Sequence, residues 1–154
     1  MREYERAPSR TRRLDEIAEG LPQRAAALSR LFLTRTTIDV SRTEVGVMRA
    51  VSLRPQRITE LAAAEGVTQP AITRVVNRLQ ERGWVTRHGD PRDGRAVVVR
   101  LTPAGRTVVE RLRGEYRALV HEEMATLDDA DVETLARAID VLDELIDRLE
   151  GRGL

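Results

Sequence analysis

Hydrophobic residues recur at helical spacing toward both ends of the chain. Near the start they mark one helical face from Leu14 to Phe32, and near the end another from Val132 to Leu149. Pro22 interrupts the first stripe, because proline lacks an N–H and its ring clashes with the preceding turn. We therefore expect either a kink at Pro22 or two consecutive helices, the second beginning there.

Three short helices are predicted in the middle of the chain, each preceded by a residue that can cap free N–H groups. Ser41, followed by Glu44 three residues later, matches a capping box. Thr59 is the predicted N-cap of the second helix, after a very short strand at Ile58, and Gly66 ends that helix. The predicted helices run from Ser41 to about Val51, from Glu60 to Glu65 and from Thr68 to Gly83. Two short helices joined by a tight turn containing glycine are typical of a helix-turn-helix.

The periodicity changes from helical to extended after Gly83. Residues 84–87 and 96–101 are rich in β-forming side chains and flank the polar segment 90–95. This pattern predicts a β-hairpin with a charged tip. Thr102 then caps a helix with Pro103 at its first position, and Asp128 opens the last helix.

Composition narrows the function classes. The 154 residues fit one domain, or one domain with helical extensions. There is no cysteine, which excludes disulfides, thiolate zinc sites and thiol-based redox switches. We see neither a secretory signal nor an apolar run long enough to cross a bilayer, so we expect a cytoplasmic protein without membrane partners.

Charge is unevenly distributed along the chain. Residues 57–100 carry eight arginines and five acids, whereas residues 127–150 carry nine acids and two arginines. Such segregation indicates that one part of the molecule faces a polyanion. An acidic, solvated helix explains the C-terminal half equally well.

The helix predicted after Gly66 has two distinct faces. Its apolar residues fall on one side, and donor and acceptor side chains suited to base edges or phosphates fall on the other. We expect Gln69, Thr73 and Arg74 to contact the major groove, since a recognition helix presents its N-terminal residues there. The full set of candidate DNA-binding residues on this helix is Thr68, Gln69, Pro70, Ala71, Thr73, Arg74, Asn77 and Arg78. An amphipathic helix with a solvated polar face is the alternative reading.

The predicted hairpin carries arginines at and below its tip. Arg92 and Arg95 lie in the tip segment, and Arg87 lies lower on a strand. A guanidinium on a slim loop can enter a minor groove. An ordinary polar turn accounts for the same residues equally well.

Taken together, these segments resemble the winged helix-turn-helix of the MarR (multiple antibiotic resistance regulator) family. The resemblance rests on residues 58–62, 66–74 and 79–85, on the wing at 90–95 and on 101–105. It implies a mainly α fold with a small β-hairpin wing, flanked by N- and C-terminal dimerisation helices. It also implies a homodimer that inserts two recognition helices and two wings into a pseudo-palindromic operator in double-stranded DNA.

The resemblance assigns further roles residue by residue. It places the arginine of the recognition helix at Arg74 and those of the wing at Arg92 and Arg95. It makes Asp90 a wing acid that orients an arginine. The family commonly has a smaller aliphatic residue at the position of Trp84, which puts local packing in question, and the N-terminal cysteine of peroxide-sensing members is missing.

The resemblance also implies a small aromatic or anionic effector, bound between the dimerisation helices and the winged domain. Phe32, Met48 and Tyr116 lie on the helices that would line such a crevice, although each also suits core packing.

No cofactor is expected. His88 and His121 lack the spacing of a metal pair, and His121 with its two following glutamates would make at most a weak metal site.

Dimerisation also follows from the apolar stripes of the terminal helices. A small winged domain offers no second core that could bury them all, so a two-fold partner is expected, with packing inside one chain as the alternative.

The predicted organisation is an arm and dimerisation helix in 1–40, the winged helix-turn-helix in 41–102 and dimerisation helices in 103–154. We expect a sequence-specific transcriptional regulator, a repressor by analogy, and not an enzyme. The alternatives are an effector-independent architectural DNA-binding protein and a helical protein-interaction module.

Overall fold

The computed structural model describes the backbone of residues 9–90 and 93–151, and the side chains of these residues except 93–95. It is mainly helical with one small antiparallel sheet, which confirms the predicted fold class. No helix within the described ranges is both long and apolar enough to span a membrane. In chain order the elements are α1 (Arg10–Arg35), α2 (Arg42–Leu53), β1 (Gln56–Arg57), α3 (Ile58–Glu65), α4 (Gln69–Glu81), β2 (Val85–Asp90), β3 (Asp93–Leu101), α5 (Pro103–Met124) and α6 (Asp129–Leu149).

The first helix is continuous. It begins after Ser9, whose Oγ accepts a hydrogen bond from the N–H of Arg12, and it passes through Pro22 without ending. The expectation of two helices meeting at Pro22 is therefore wrong. Proline removes a single N–H from the ladder, and the other hydrogen bonds of this 26-residue helix hold the chain together across it.

Two of the three cap predictions in the central region are confirmed. The capping box of α2 has both bonds: Ser41 Oγ accepts from the Glu44 N–H, and Glu44 accepts from the Ser41 N–H. Thr68 is the N-cap of α4, although its side chain makes no capping hydrogen bond. The prediction for α3 is wrong, because the helix begins at Ile58 and its N-cap is Arg57, whose N–H donates to Glu60 Oε2 at 2.7 Å.

The sheet has the strand order β1-β3-β2, with all neighbours antiparallel. β2 and β3 form the predicted hairpin, from Val85 opposite Leu101 to Gly89 opposite Val97. The short strand β1 pairs with the free edge of β3 at Gln56 and Arg57. The predicted position of this strand, Ile58, is instead the first residue of α3. This edge pairing joins the start of the helix-turn-helix to the wing.

The core of the winged domain is formed by α2, α3, α4 and the hairpin. Its largest fully buried side chains are Met48, Leu61, Ile72, Leu79, Val47, Val76, Val85 and Val99. The apolar stripe predicted for the recognition helix is buried as a whole. Consequently, the opposite face of α4 is turned outward.

Two positions of this domain require glycine, one for its backbone conformation and one for lack of space. Gly66 ends α3 with φ 63°, a left-handed conformation that costs glycine little and permits the tight turn into α4. A Cβ on Gly105 would collide with the carbonyl of Trp84. Thr102 Oγ1 donates to the Gly83 carbonyl at 2.7 Å, so the start of α5 is fixed against the base of the hairpin.

The chain forms two compact units, Met1–Arg113 and Gly114–Leu154. In the second unit, Asp128 accepts a hydrogen bond from the Asp131 N–H and opens α6, as predicted. No described residue of α6 is buried. Its apolar stripe is exposed, with Ile139 60% and Ile146 46% accessible.

Candidate nucleic-acid interface

The N-terminal half of α4 presents the predicted polar face to solvent. Thr68, Gln69, Pro70, Arg74 and Asn77 are exposed, whereas Ala71 and Thr73 are half-buried. Free N–H groups at the start of a helix, together with its dipole, attract anions such as phosphates. Arg74 makes no ion pair or hydrogen bond within the described residues, which leaves its guanidinium available to a ligand.

The C-terminal half of the same helix is fastened to the rest of the domain. Arg78 Nε lies 3.2 Å from Glu44 Oε1 on α2. Arg82 donates to the carbonyl of Asp39 at 2.5 Å and lies 4.9 Å from the ring centroid of Trp84. Arg78 was predicted to contact DNA, and the structure gives it a structural partner while leaving its side chain about half exposed.

Glu44 is the acid that receives Arg78. Burial alone would raise the pKa of Glu44, but hydrogen bonds from Ser41 and Arg78 and the charge of Arg78 bring it below its ordinary value of 4.5. Glu44 is therefore ionised at neutral pH. The carboxylate is an acceptor for both partners.

The wing contacts the recognition helix through Arg87. Its Nη2 donates to the carbonyl of Thr73 at 3.2 Å, and its buried Nε has no hydrogen-bond partner within the described part of the chain. Arg87 was predicted to contact DNA from the wing. In the structure Arg87 is half-buried and ties β2 to α4 while lining a cleft, and its contact to DNA stays a prediction.

Asp90 at the end of β2 forms an ion pair with Arg57 of β1. Arg57 Nη2 lies 2.6 Å from Asp90 Oδ2, and the Asp90 side chain is 9% exposed. An orienting role for Asp90 was implied by the family resemblance, but Arg57 as a site residue was missed. Its position directly before α3 gave no sign of the wing contact, because that contact depends on the pairing of β1 with β3.

Arg57 and Arg87 border a cleft of about 290 Å³ between the start of α3, the start of α4 and the hairpin. Its polar lining includes Arg57, Thr59, Gln69, Thr73 and Arg87. The recognition helix, the start of α3 and the wing therefore line one cleft, which holds the side chains of Arg57 and Arg87. The residues that sequence patterns placed on separate elements meet here.

Comparison with known proteins agrees with this geometry. A sequence model described as the MarR family matches residues 38–96, which hold α2, the helix-turn-helix and most of the wing. Over this segment the chain is similar to the MarR family. Similar proteins include an uncharacterized HTH-type transcriptional regulator of Mycobacterium leprae, which is 36% identical over 87 residues, covering 56% of this chain and 61% of that relative. The match thus spans less than two thirds of the relative's length.

Solved structures extend the MarR-family likeness to the flanking helices. Wild-type MarR from E. coli in its apo form is 25% identical, with a TM-score of 0.68 over 84% of this chain and 96% of that one. The transcriptional regulator BldR from Sulfolobus solfataricus has a TM-score of 0.74, with 92% of this chain and 99% of that chain covered. At 24% identity, the likeness to BldR concerns the fold alone.

Some of the predicted site residues lie outside the described part of the chain, and one of the predicted effector contacts is buried in the core. Arg92 is outside the described residues, and Arg95 is described only by its backbone in β3, so their roles stay predictions. Met48, predicted to line an effector crevice, is 1% exposed and packs in the core. Phe32 on α1 and Tyr116 on α5 are both half-buried. In the ranges 9–90 and 93–151, no group of three or more His, Asp or Glu side chains could hold a metal ion.

Proposed function

We propose that this chain is a DNA-binding transcriptional regulator, and not an enzyme, which represses by occupying a pseudo-palindromic operator as a homodimer. The observation that carries the proposal is the exposed N-terminal face of α4 beside the arginine-bearing hairpin, with Gln69 and with Arg74, which has no partner among the described residues. The likeness of residues 38–96 to the MarR family supports the same function.

The proposed reading of bases follows from shape and donor chemistry. An α-helix with its side chains is about 10–12 Å across and fits the major groove, which is about 12 Å wide. Arg74 can pair bidentately with a guanine, and Gln69 or Asn77 with an adenine. Thr73 offers a methyl group to thymine from the same side of the helix.

The wing supplies the second proposed contact. β2 and β3 form a hairpin in which β2 ends at Asp90 and β3 begins at Asp93. We propose that Arg92 and Arg95 enter the minor groove, whose negative potential deepens where the groove is narrow. Asp90 and Arg57 would support the hairpin beneath this contact.

The homodimer is proposed because both terminal helices keep large apolar side chains in solvent. The exposed ones on α1 are Leu14, Ile17, Leu28 and Leu31, and those on α6 are Val132, Leu135, Ile139, Val141, Leu145, Ile146 and Leu149. Exposed apolar stripes of this extent favour association, and a two-fold pair is the commonest solution. Two-fold symmetry would match two operator half-sites.

An effector would act by favouring one spacing of the two recognition helices over another. A small aromatic or anionic molecule can do so only if it binds one arrangement more tightly. Phe32 and Tyr116 remain candidate contacts for it.

The proposal is tested by selecting bound fragments from genomic DNA and measuring affinity for a selected duplex and a random one as salt is varied. We expect affinity for the selected duplex to exceed that for random DNA by about a thousandfold or more. Equal affinity for every duplex would support the architectural alternative. No binding at all would support the protein-interaction module.

The wing contact is tested separately with Arg92→Ala and Arg95→Ala. Each lost phosphate contact is expected to reduce the slope of log affinity against log salt by about 0.9. Arg137→Ala, on the exposed surface of α6, is the matched control and should leave the slope unchanged. Unchanged slopes in both wing variants would refute the wing contact.

A further inference from the structure

Glu44 occupies an unusual place in the domain. It is 4% exposed and is the only charged residue in the buried class among those the structure describes. Removing a carboxylate from water costs several kcal/mol unless it is paired and hydrogen-bonded. A charge kept in such a position is therefore held by specific partners.

The two oxygens of this carboxylate serve different elements. Oε2 accepts the Ser41 N–H at 2.8 Å and caps the first turn of α2. Oε1 accepts Arg78 Nε at 3.2 Å, across 34 residues of chain, and holds the recognition helix. One side chain thus links the N-terminus of α2 to the C-terminal half of α4.

The arginines of α4 show what this link controls. Arg74, Arg78 and Arg82 follow one another at intervals of four residues, which places them along one side of the helix. Arg78 is bound by Glu44, and Arg82 by the carbonyl of Asp39 just before α2. Arg74 alone of the three is unpaired within the described residues, and it stands nearest the N-terminus of the helix.

We infer that Glu44 is a positioning residue for DNA reading: by holding Arg78, it fixes the rotation of α4 about its axis and so the direction in which Arg74 projects. This inference rests on the proposed function. Arg78 then serves recognition through Glu44 and not as a contact to phosphate. The ion pair contributes to specificity more than to general affinity for DNA, because a misrotated helix still carries its positive charge.

A double-mutant cycle tests the inference on the full-length protein. Glu44→Ala, Arg78→Ala and the double variant are compared for binding to the selected duplex and to a random duplex. We expect each single variant to lose about tenfold in affinity for the selected duplex, and the double variant to be no weaker than either, as contacting residues couple. Affinity for random DNA should change by less than the specific affinity does.

Ser41→Ala is the matched control within the same capping box. It removes the hydroxyl that accepts the Glu44 N–H but keeps the backbone N–H that Glu44 binds. It should weaken the cap of α2 while leaving specific binding within about twofold of wild type, since Glu44 still holds Arg78. A loss equal to that of Glu44→Ala would reduce Glu44 to a helix cap and overturn the inference.

Direct phosphate contact by Arg78 predicts a different result. Arg78→Ala would then weaken selected and random duplexes equally and reduce the salt slope by about 0.9, while Glu44→Ala had no effect, and the inference would be overturned. If Glu44→Ala fails to fold, Arg78→Lys replaces it: a lysine that keeps the ion pair should retain more specific affinity than alanine, and equal losses would contradict the inference. Wild-type protein is measured first, because no preference for the selected duplex would refute the proposed function itself.

Discussion

The recognition helix α4 and the terminal helix α6 carry similar amphipathic patterns but meet different surroundings. On α4 the apolar residues Ile72, Val76 and Leu79 are fully buried by the same chain. On α6 the corresponding residues stay accessible, and Ile139 is 60% exposed. The polar face of α4 is thus available because its apolar face is satisfied, whereas α6 still offers an apolar face to a partner.

A second contrast lies within α4 itself. Arg74 and Arg78 are one turn apart and look equivalent in sequence, yet Arg74 is unpaired within the described residues and Arg78 is bound to Glu44. Burial and partners, not residue type, separate a side chain that can bind DNA from one that orients the helix.

The largest effect is expected in the core of α4. Ile72 is completely buried, so Ile72→Ala should lower the free energy of unfolding by about 2–5 kcal/mol through lost burial and a residual cavity. Denaturant unfolding at several protein concentrations measures it. A loss below about 1 kcal/mol would mean that α4 is not held by its apolar stripe.

Ile139→Asp on α6 should act on association instead. If the exposed stripe packs against a second copy, the two lost isoleucines weaken the dimer by about 3 kcal/mol in total. Sedimentation equilibrium reports the dissociation constant. Glu133→Gln, at an exposed polar position of the same helix, is the control, and an unchanged dimer in the Ile139 variant would refute the proposed interface.

Arg74→Ala should leave folding intact and weaken specific binding by about 1–3 kcal/mol, the value of a good bidentate base contact. Fluorescence anisotropy with selected and random duplexes measures both affinities. Arg137→Ala removes the same charge from α6 and should change neither. Equal losses on both duplexes would make Arg74 a phosphate contact rather than a base contact.

The smallest effect concerns Glu65 at the end of α3, whose carboxylate occupies the space where a Cβ on Gly46 would lie. Burial raises its pKa more than the charges of Arg42 and Arg49 lower it. A raised pKa in the folded state stabilises the protonated form, so the stabilisation is complete below the ordinary value of 4.5 and is lost as pH rises through the folded pKa.

Glu65→Gln should therefore stabilise the domain at neutral pH, with a gain that shrinks as the pH falls through the folded pKa of Glu65 toward 4.5 and is absent below it. Thermal unfolding across this pH range measures the difference. Glu81→Gln, on the exposed side of α4, is the control. A variant with the same pH profile as wild type would show that Glu65 titrates alike in both states.

Local features of the fold were predictable from sequence, because periodicity and caps depend on neighbouring residues. The buried stripe of α4, the capping box at Ser41 and the turn at Gly66 belong to this class. The start of α3 and the course of α1 through Pro22 were not predictable in this way. In each case the hydrogen bonds of the helix outweigh a local preference, that of Thr59 for an N-cap position and that of Pro22 for a helix start.

The candidate site divides in the same way. The exposed positions of Gln69 and Arg74 followed from the helical pattern, which fixes the face opposite the core. The ion pairs of Arg57 with Asp90 and of Arg78 with Glu44 join residues 33 and 34 positions apart, so no local pattern revealed them. The same limit hid the hydrogen bond from Arg87 to the Thr73 carbonyl, which joins residues 14 positions apart.

The most direct test of the central claim, that α4 reads bases in the major groove, is methylation interference on a selected duplex. Methylating guanine N7 modifies the major groove and leaves the phosphates unchanged. We expect interference at guanines in two half-sites separated by about 10 base pairs or a multiple of that spacing. Binding that tolerates methylation at every guanine of the site, while still depending on salt, would contradict the account.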